Sequence, residues 1–329
     1  MRGAMRSLVT GGSGFVGSHL VEALVARGDE VVCLVRADRP GWLEGIRPVR
    51  LVRGDVTDPG VLRRCVDGVD RVFHVAGLTK ARCPAEFFRV NAEGTGNVVG
   101  ACLAAGGPPR RLVYLSSLAA IGPSPEPAPR GEGAIPRPVS PYGWSKLRGE
   151  AEVLRARDRL RVVVLRPPVV YGPRDRGLWA YARWVRRGVV PIPSGPPRAL
   201  SLCAVADLVP ALIAAAEAQL PSGDVYHVAG EGAFTWEEVG RAFGTAMGIR
   251  ARPLRLPLPL LFAVAAGAEA WGRIRGRATV ISRGKVREAL GHWVCDIGKA
   301  RRDLAFRPGA GLEDGVALTV RWYLSHGWL

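Results

Sequence analysis

Residues 10–17, TGGSGFVG, decide how the rest of the chain is interpreted. The apolar residues 8–9 precede this stretch, and residues 19–25 follow it with a pattern typical of a helix. A strand, a glycine-rich turn and a helix N-terminus in this order form an anion site, because glycines let the backbone approach a pyrophosphate. The spacing GxxGxxG, a variant of the usual dinucleotide-binding pattern, comes from Gly11, Gly14 and Gly17. The alternative is a tight turn between two buried elements.

Short β-rich runs alternate with helical patterns through the first half of the chain. Continuous apolar runs such as residues 162–165 are typical of a parallel sheet that helices cover on both faces. The sequence therefore predicts an α/β fold with a doubly wound parallel sheet, the Rossmann arrangement. The predicted strands are 7–10, 30–35, 49–52, 71–75, 111–115 and 162–165, and the predicted helices are 16–27, 59–66, 85–105 and 142–157.

The second half of the chain is interrupted by segments rich in proline and glycine. We expect a dinucleotide-binding Rossmann domain at residues 1–167, with residues 201–229 returning to it. Residues 168–200 and 230–329 are expected to form a smaller, interleaved C-terminal substrate lobe. Ligands of open α/β sheets bind at the carboxyl edge of the sheet, so we expect this lobe to lie there.

The end of the second predicted strand, residues 31–39, is VVCLVRADR. Sites that prefer NAD place an acidic residue there, which binds the ribose 2′-hydroxyl. Arg36 occupies that place with Arg39 nearby, and a guanidinium suits a 2′-phosphate, which favours NADP over NAD. In the alternative, Asp38 binds the ribose and Arg36 is only a surface charge. Asp55, after the third strand, is expected to accept a hydrogen bond from the adenine amino group.

Residues 142–146, YGWSK, carry the strongest chemical signal. Tyr142 and Lys146 are four residues apart on a predicted helix and therefore share one face. A nearby ammonium favours the tyrosinate and lowers the phenol pKa toward the working range. An upstream strand ends in Ser116 and Ser117, which brings two hydroxyls to the same crevice. The pattern predicts that Tyr142 exchanges a proton with a carbinol or carbonyl.

Several further motifs follow in a fixed order along almost the whole chain. With them, the sequence resembles an extended short-chain dehydrogenase/reductase, the family of NAD(P)-dependent epimerases, dehydratases, 3β-hydroxysteroid dehydrogenases and dihydroflavonol reductases. The motifs are TGGSGFVG (10–17), GDVTD (54–58), HVAG (74–77), NAEGTGN (91–97), LSS (115–117), YGWSK (142–146), LRPPVVYGP (165–173) and DIGKARRDLAFRP (296–308).

This resemblance implies a role for each matched residue. Tyr142 is the implied general acid/base, Lys146 binds the nicotinamide ribose and tunes Tyr142, and Ser117 bonds the substrate oxygen. Ser116 takes that place if the register shifts by one. The implied cofactor contacts are Gly11, Gly14, Phe15, Val16 and Gly17 at the pyrophosphate, Arg36, Asp55, Val56, Ala76 and Gly77 on the adenosine side, and Asn91, Tyr142, Lys146, Pro167 and Pro168 at the nicotinamide half.

Departures from the family pattern bear on the substrate. Val169 stands where sugar-nucleotide enzymes carry an Asn for the substrate diphosphate, and residues 200–205, LSLCAV, replace a second anchor. An apolar lining suits a bulky, mostly hydrophobic alcohol or ketone. Arg198 remains within reach of an anionic group. The expected substrate contacts are Leu78, Ser117, Trp144 and Val169, with Trp179, Trp184 and residues 256–270 as further candidates for the wall.

We therefore expect an NAD(P)-dependent oxidoreductase that interconverts a secondary alcohol and a ketone on a substrate of 3β-hydroxysteroid or dihydroflavonol type. The alternative enzyme is an NAD-dependent nucleotide-sugar epimerase or dehydratase, in which the cofactor stays bound and is regenerated. A third possibility is a dinucleotide-sensing regulator without activity, but the presence of Ser117, Tyr142 and Lys146 disfavours it.

The formal net charge of +17 comes mostly from arginines that are scattered along the chain. Nucleic-acid grooves gather basic and aromatic residues together, so the sequence favours a small-molecule substrate and no nucleic-acid partner. The six cysteines have no CxxC spacing, which predicts neither a metal site nor a disulfide framework and favours a reducing, cytoplasmic location.

The N-terminal residues lead directly into a strand pattern, which argues against a signal peptide. Residues 256–270 are the most apolar stretch, but they are shorter than the ~20 residues that span a bilayer. We expect this segment to be a buried helix, with docking on a membrane surface as the alternative. The helices predicted at 85–105 and 142–157 resemble the pair that forms the family's dimer interface, which implies a homodimer.

Overall fold

The structure is a computed structural model that describes residues 5–36, 41–126, 128–279, 281–309 and 311–329. Its strands are β1 (Arg6–Thr10), β2 (Glu30–Val35), β3 (Val49–Arg53), β4 (Arg71–His74), β5 (Arg111–Leu115), β6 (Val162–Arg166), β7 (Val169–Tyr171), β8 (Val189–Pro193), β9 (Leu202–Ala204), β10 (Asp224–His227) and β11 (Arg252–Leu256). Its α-helices are α1 (Phe15–Ala26), α2 (Pro59–Val66), α3 (Pro84–Phe88), α4 (Gly94–Ala104), α5 (Pro141–Arg155), α6 (Arg176–Arg186), α7 (Val205–Glu217), α8 (Trp236–Met247), α9 (Leu258–Ile274), α10 (Arg283–Ala289), α11 (Gly298–Asp303) and α12 (Leu312–Ser325).

The central sheet has seven strands in the order β3, β2, β1, β4, β5, β6, β10, and the neighbouring strands pair in parallel. Every residue of β5 and β6 is buried, because helices lie on both faces of the sheet. The strand order reverses between β1 and β4, and such a switch point opens a crevice at the carboxyl ends of the strands. The predicted doubly wound α/β fold is confirmed.

Two hydrophobic cores lie on opposite faces of this sheet. One contains residues of α1 and α7, such as Leu20 and Leu208. The other contains residues of α2, α4 and α5, such as Leu62 and Val153. The two sets alternate along the strands, as in β6, where Val163 belongs to the first core and Val164 to the second.

The helix predicted at residues 85–105 contains a change of geometry. Between α3 and α4 the chain forms a π-helical turn at Arg89–Glu93. Such turns are rare and occur often at functional sites, where the extra residue re-aims a side chain. The turn directs Asn91, which is fully buried, at the loop that follows β4.

The remaining elements build a third core beside the carboxyl edge of the sheet. It combines side chains of α6, α8 and α12 with two short parallel pairs, β7 with β9 and β8 with β11. Within residues 201–229, β9 joins this third core, whereas α7 packs on α1 and β10 extends the central sheet. The division into a Rossmann domain and an interleaved substrate lobe stays a prediction.

The expectation that residues 256–270 are buried is wrong. Only Ala265 and Gly272 are buried in α9, and one side of the helix is exposed among the described residues. Its large exposed side chains lie on one stripe, at helical spacings of four, seven and three residues. They are Leu260 (50% exposed), Val264 (47%), Trp271 (58%) and Ile274 (77%). We call them the α9 stripe.

No helix in the described part of the chain has the length and apolar content that a membrane span needs.

A buried ion pair joins the sheet to α5. Arg166 donates from Nε and a terminal nitrogen to the two carboxylate oxygens of Glu150, at 2.9 and 2.7 Å. Glu150 is 1% exposed and Arg166 is 5% exposed. Burying a charge is costly unless it is paired, so each partner depends on the other.

We expect Arg166→Met to lower the free energy of unfolding by about 3–5 kcal/mol, because it leaves the Glu150 carboxylate buried without its cation. The control is Arg155→Met, which removes an exposed ion pair with Glu152 on the same helix and is expected to cost less than about 1 kcal/mol. Urea unfolding followed by circular dichroism measures both. Equal losses in the two variants would contradict the assigned importance of the buried pair.

Candidate active site

Only glycine fits at Gly11, in the turn between β1 and α1, and at Gly17, in the first turn of α1. Gly11 has φ +75°, and a Cβ there meets the backbone of Ala76 at 2.7 Å. A Cβ on Gly17 collides with the carbonyl of Gly11. Gly14 begins α1 without a side-chain cap, so the first N–H groups of the helix remain available to a ligand.

A cavity of about 1250 Å³ extends from this turn along the carboxyl ends of the central strands to the third core. Most residues that we assigned to the cofactor or the substrate line it. They are Gly11, Gly14, Phe15, Val16, Gly17, Arg36, Asp55, Val56, Ala76, Gly77, Leu78, Ser117, Tyr142, Lys146, Pro167, Pro168 and Val169.

Ser117 and Tyr142 lie side by side in the cavity wall, with the Ser117 hydroxyl in hydrogen-bonding contact with the Tyr142 phenol. Ser117 follows β5, and its Oγ accepts a hydrogen bond from the Ala119 N–H at 3.2 Å. Tyr142 lies in the first turn of α5, which begins after the cap residue Ser140. Burial raises the pKa of the Tyr142 phenol, while the charge of Lys285 and the hydroxyl of Ser117 lower it. The net effect favours a protonated phenol.

Lys146 lies one turn along α5 from Tyr142. Its Nζ donates to the Leu115 carbonyl at 2.7 Å and lies 4.6 Å from the centre of the Tyr114 ring. Burial lowers the pKa of Lys146 to about 7, although the Glu150 carboxylate raises it. The cation that lowers the pKa of Tyr142 in this structure is Lys285, not Lys146.

Ser116, the alternative to Ser117, makes a different contact. Its hydroxyl donates to Oε1 of Glu150 at 2.5 Å and is buried. Both serines line the cavity, but the Ser116 hydroxyl is bonded to the buried ion pair whereas the Ser117 hydroxyl contacts Tyr142.

Asn91 does not line the cavity. Its Oδ1 accepts the Leu78 N–H at 2.7 Å, and its Nδ2 donates to the Leu78 carbonyl at 3.0 Å and to Ser145 Oγ at 2.9 Å. Asn91 thus fixes the loop after β4 against α5. A Cβ on Gly77 in this loop lies 3.4 Å from the Nζ of Lys146, so the loop passes close to the lysine.

Arg36 and Asp55 lie at the opposite end of the cavity from Tyr142. Arg36 is exposed at the end of β2. Asp38 and Arg39 lie outside the described residues. The Asp55 carboxylate accepts the N–H and the hydroxyl of Thr57 at 2.9 and 2.8 Å, which fixes the turn after β3.

The expectation that Trp144 contacts the substrate does not agree with the structure. Trp144 is 47% exposed and is not part of the cavity wall, because a residue two positions from Tyr142 points to another face of the helix. Trp179 and Trp184 also lie outside the wall. Trp179 instead donates from Nε1 to the Trp328 carbonyl at 2.8 Å.

Sequence reasoning missed several wall residues that come from distant elements. Lys285 and Glu288 on α10, Tyr181 on α6 and Trp236 on α8 all line the cavity. These positions belong to none of the recognised motifs, and the elements that carry them show only ordinary helical patterns. The sequence offered no signal for them.

The described ranges give no indication of a metal site. No group of three or more potential metal-binding side chains occurs there. Five cysteines are buried and Cys83 is exposed.

Comparison with known proteins agrees with the geometry. Residues 7–229 match the NAD dependent epimerase/dehydratase family. A ceramide reductase of Caulobacter vibrioides is 35% identical over 98% of this chain and 95% of its own length. A 2-alkyl-3-oxoalkanoate reductase of Stenotrophomonas maltophilia is 29% identical over 95% of this chain and 97% of its own length.

The fold also matches a solved structure with bound cofactor. A dTDP-glucose 4,6-dehydratase double mutant of Streptomyces venezuelae, solved with NAD bound, superimposes with a TM-score of 0.79 and 25% identity over 98% of both chains. The resemblance stated from the sequence motifs is thereby confirmed. The chain belongs to the NAD-dependent epimerase/dehydratase family and is an NAD(P)-dependent enzyme of the extended short-chain dehydrogenase/reductases.

Proposed function

We propose that the protein is an oxidoreductase that interconverts a ketone and a secondary alcohol on a bulky, largely apolar substrate. The observation that carries this proposal is the meeting of Ser117, Tyr142 and Lys146 in a cavity where Val169 replaces the amide of the sugar-nucleotide enzymes. The names of both reductase relatives support a lipid-like or alkyl-bearing substrate.

The glycine turn fits the pyrophosphate of a dinucleotide. Gly11 and Gly17 leave no room for a Cβ, and the uncapped start of α1 directs N–H groups at the same space. When bound, the nicotinamide supplies the hydride for reduction or accepts it in oxidation. Lys146 and Tyr142 are the proposed contacts of its ribose and ring.

Tyr142 is the proposed proton donor. The raised pKa of its phenol keeps the proton at neutral pH, which suits transfer to the oxygen of a ketone that is being reduced. The neighbouring Ser117 hydroxyl donates a hydrogen bond to the same oxygen and orients it. Proximity and fixed orientation in the cavity supply much of the remaining acceleration.

The cofactor proposed for this site is NADP. Arg36 is the charged residue at the end of β2 that lines the cavity, and its guanidinium suits a 2′-phosphate. Homodimerisation and a cytoplasmic location also stay predictions.

One observation supports the alternative function, a nucleotide-sugar epimerase or dehydratase. Arg198 lines the cavity, and its cation would suit a diphosphate. Its Nε and one terminal nitrogen already donate to the carbonyls of Leu290 and Pro196, both at 2.7 Å, which makes it the weaker candidate.

We also propose that the α9 stripe docks on the surface of a membrane that contains anionic lipid. The stripe exposes a tryptophan and three aliphatic side chains, and Arg273, Arg275 and Arg277 occupy exposed positions next to its C-terminal end. The Arg275 guanidinium lies 4.7 Å from the Trp271 ring. Apolar side chains beside basic ones bind the interface of anionic bilayers.

Tyr142→Phe is expected to lower kcat for reduction of a long-chain ketone by about 10²–10⁴-fold, because the ring stays and only the donated proton is lost. NADPH consumption and alcohol formation measure it. The control is Tyr181→Phe, which removes another tyrosine hydroxyl from the same cavity. That hydroxyl donates to the Trp236 carbonyl at 2.6 Å. Full activity of Tyr142→Phe contradicts the assigned role, and conversion of UDP-sugars without net NADPH turnover favours the epimerase reading.

Three variants separate the parts of the nucleotide site. Gly11→Ala is expected to weaken the binding of both NADPH and NADH by more than about tenfold, because the added Cβ meets the backbone of Ala76. Arg36→Ala is expected to weaken the binding of NADPH and to leave the binding of NADH unchanged. The control is Gly28→Ala, which has a similar φ of +86° but no atom within 4 Å. Calorimetry measures the dissociation constants, and an unchanged NADPH affinity in Arg36→Ala would favour Asp38 as the ribose ligand.

Replacing Trp271 and Ile274 together by Ser is expected to abolish co-sedimentation with vesicles of phosphatidylcholine and phosphatidylglycerol, because the apolar anchor is removed. The matched control replaces Leu318 and Leu324 of α12, which are 46% and 50% exposed. Vesicles of pure phosphatidylcholine are expected to bind weakly. Equal binding of both double variants to the anionic vesicles contradicts the docking surface.

A further inference from the structure

A second lysine, carried by α10, approaches Tyr142. The Nζ of Lys285, on α10, lies 5.0 Å from the centre of the Tyr142 ring. It also pairs with the Glu288 carboxylate at 2.7 Å, one turn further along α10. Both side chains line the cavity. An ion pair from a separate part of the chain therefore faces the residue that we propose as the proton donor.

The pair is held in place against the start of the catalytic helix. The Ser140 hydroxyl accepts the Gly143 N–H at 3.0 Å as the cap of α5, and it donates to Oε1 of Glu288. The Trp293 indole N–H donates to the Glu288 backbone carbonyl at 2.5 Å. These contacts fix the distance between the ion pair and Tyr142, as a positioning element requires.

The pair retains unused hydrogen-bonding capacity. A lysine ammonium has three donors, and Lys285 uses one on Glu288. The Glu288 carboxylate has about four acceptor positions, of which Ser140 and Lys285 occupy two. The Lys285 side chain remains 42% exposed where it borders the cavity. A ligand in the cavity thus meets a donor and an acceptor side by side.

The charge of the pair limits what it binds well. Lys285 and Glu288 neutralise each other, so a substrate carboxylate gains little from the lysine and is repelled by the glutamate. A neutral group that both accepts and donates matches the two partners at once. An amide does so with its carbonyl toward Lys285 and its N–H toward Glu288.

We infer that Lys285 and Glu288 form a specificity subsite for a neutral hydrogen-bonding group, most simply an amide, on the substrate carbon beside the reacting ketone. This inference rests on the proposed ketone reductase function and names its substrate class. The wall of the same cavity holds Tyr142 and the subsite close together, so the two oxygens of such a substrate reach both.

Lys285 also affects the pKa of Tyr142, and the experiment must separate this effect from recognition of the amide. Its charge lowers the pKa of Tyr142, so its loss alters proton donation to every ketone. The ratio of kcat/KM for two ketones cancels that common effect, and the pH profile records it separately.

The experiment uses three ketones with the same alkyl chain and NADPH as the reductant. One carries an acylamino group beside the carbonyl, one is a 3-oxo carboxylate, and one is unsubstituted. The variants are Lys285→Met and Glu288→Gln. The control is Arg283→Met, which removes an exposed α10 ion pair with Glu269 outside the cavity. Thermal melting verifies that each variant is folded.

The wild-type protein is expected to prefer the acylamino ketone over the unsubstituted one by about tenfold or more, the size of one well-made polar contact. Lys285→Met removes this preference, Arg283→Met retains it, and Glu288→Gln raises the relative rate with the oxo carboxylate. If Lys285→Met lowers kcat/KM by the same factor for all three ketones, the proposed subsite is overturned and Lys285 acts only through Tyr142. If the wild-type protein prefers the 3-oxo carboxylate over the acylamino ketone, the proposal that the subsite binds a neutral group is overturned. Failure of the wild-type protein to reduce any ketone overturns the proposed function itself.

Discussion

The buried carboxylate of Glu150 is the contact on which the geometry of the crevice depends. A charge with 1% exposure persists only if its partners are complete, and Arg166 and Ser116 provide them from the ends of β6 and β5. Glu150 belongs to α5, so the ion pair fixes this helix against the carboxyl edge of the sheet. It also lies one turn from Lys146 and opposes the loss of that lysine's charge. One interaction thus sets both the position and the charge of the proposed site.

Burial favours the neutral form of both Tyr142 and Lys146 on α5. The pKa of Lys146 falls to about 7, and the pKa of Tyr142 rises. A neutral phenol suits proton donation to a ketone, whereas an alcohol requires the tyrosinate for its oxidation. The charge that favours the tyrosinate comes from Lys285, which belongs to another part of the chain. The protonation of the proposed proton donor therefore depends on how α10 packs against α5.

The sequence predicts those parts of the site that depend on short segments. The turn at Gly11, the spacing of Tyr142 and Lys146 and the apolar strands are all patterns within short segments of the sequence. Lys285 meets Tyr142 across more than a hundred residues, and no periodic pattern encodes that contact. The expected burial of residues 256–270 is wrong because hydropathy shows that a helix is apolar but not whether another element covers it. Trp144 was misplaced because neighbours in sequence point to different faces of a helix.

The proposed docking surface on α9 and the proposed subsite on α10 are linked through one residue. Arg283, at the start of α10, donates to the Glu269 carboxylate of α9 through its N–H and its Nε, at 2.8 and 2.9 Å. The helix with the exposed apolar stripe is therefore fixed to the helix that carries the subsite. If α9 lies on a bilayer, a lipid-like ketone that leaves the bilayer beside it reaches the cavity wall formed by α10. The polar part of such a molecule then meets Lys285 and Glu288 next to Tyr142, while its chains face the apolar remainder of the cavity. A sugar nucleotide matches this arrangement less well than a lipid-like ketone, because apolar Val169 lines the cavity and the Arg198 guanidinium already donates to two backbone carbonyls.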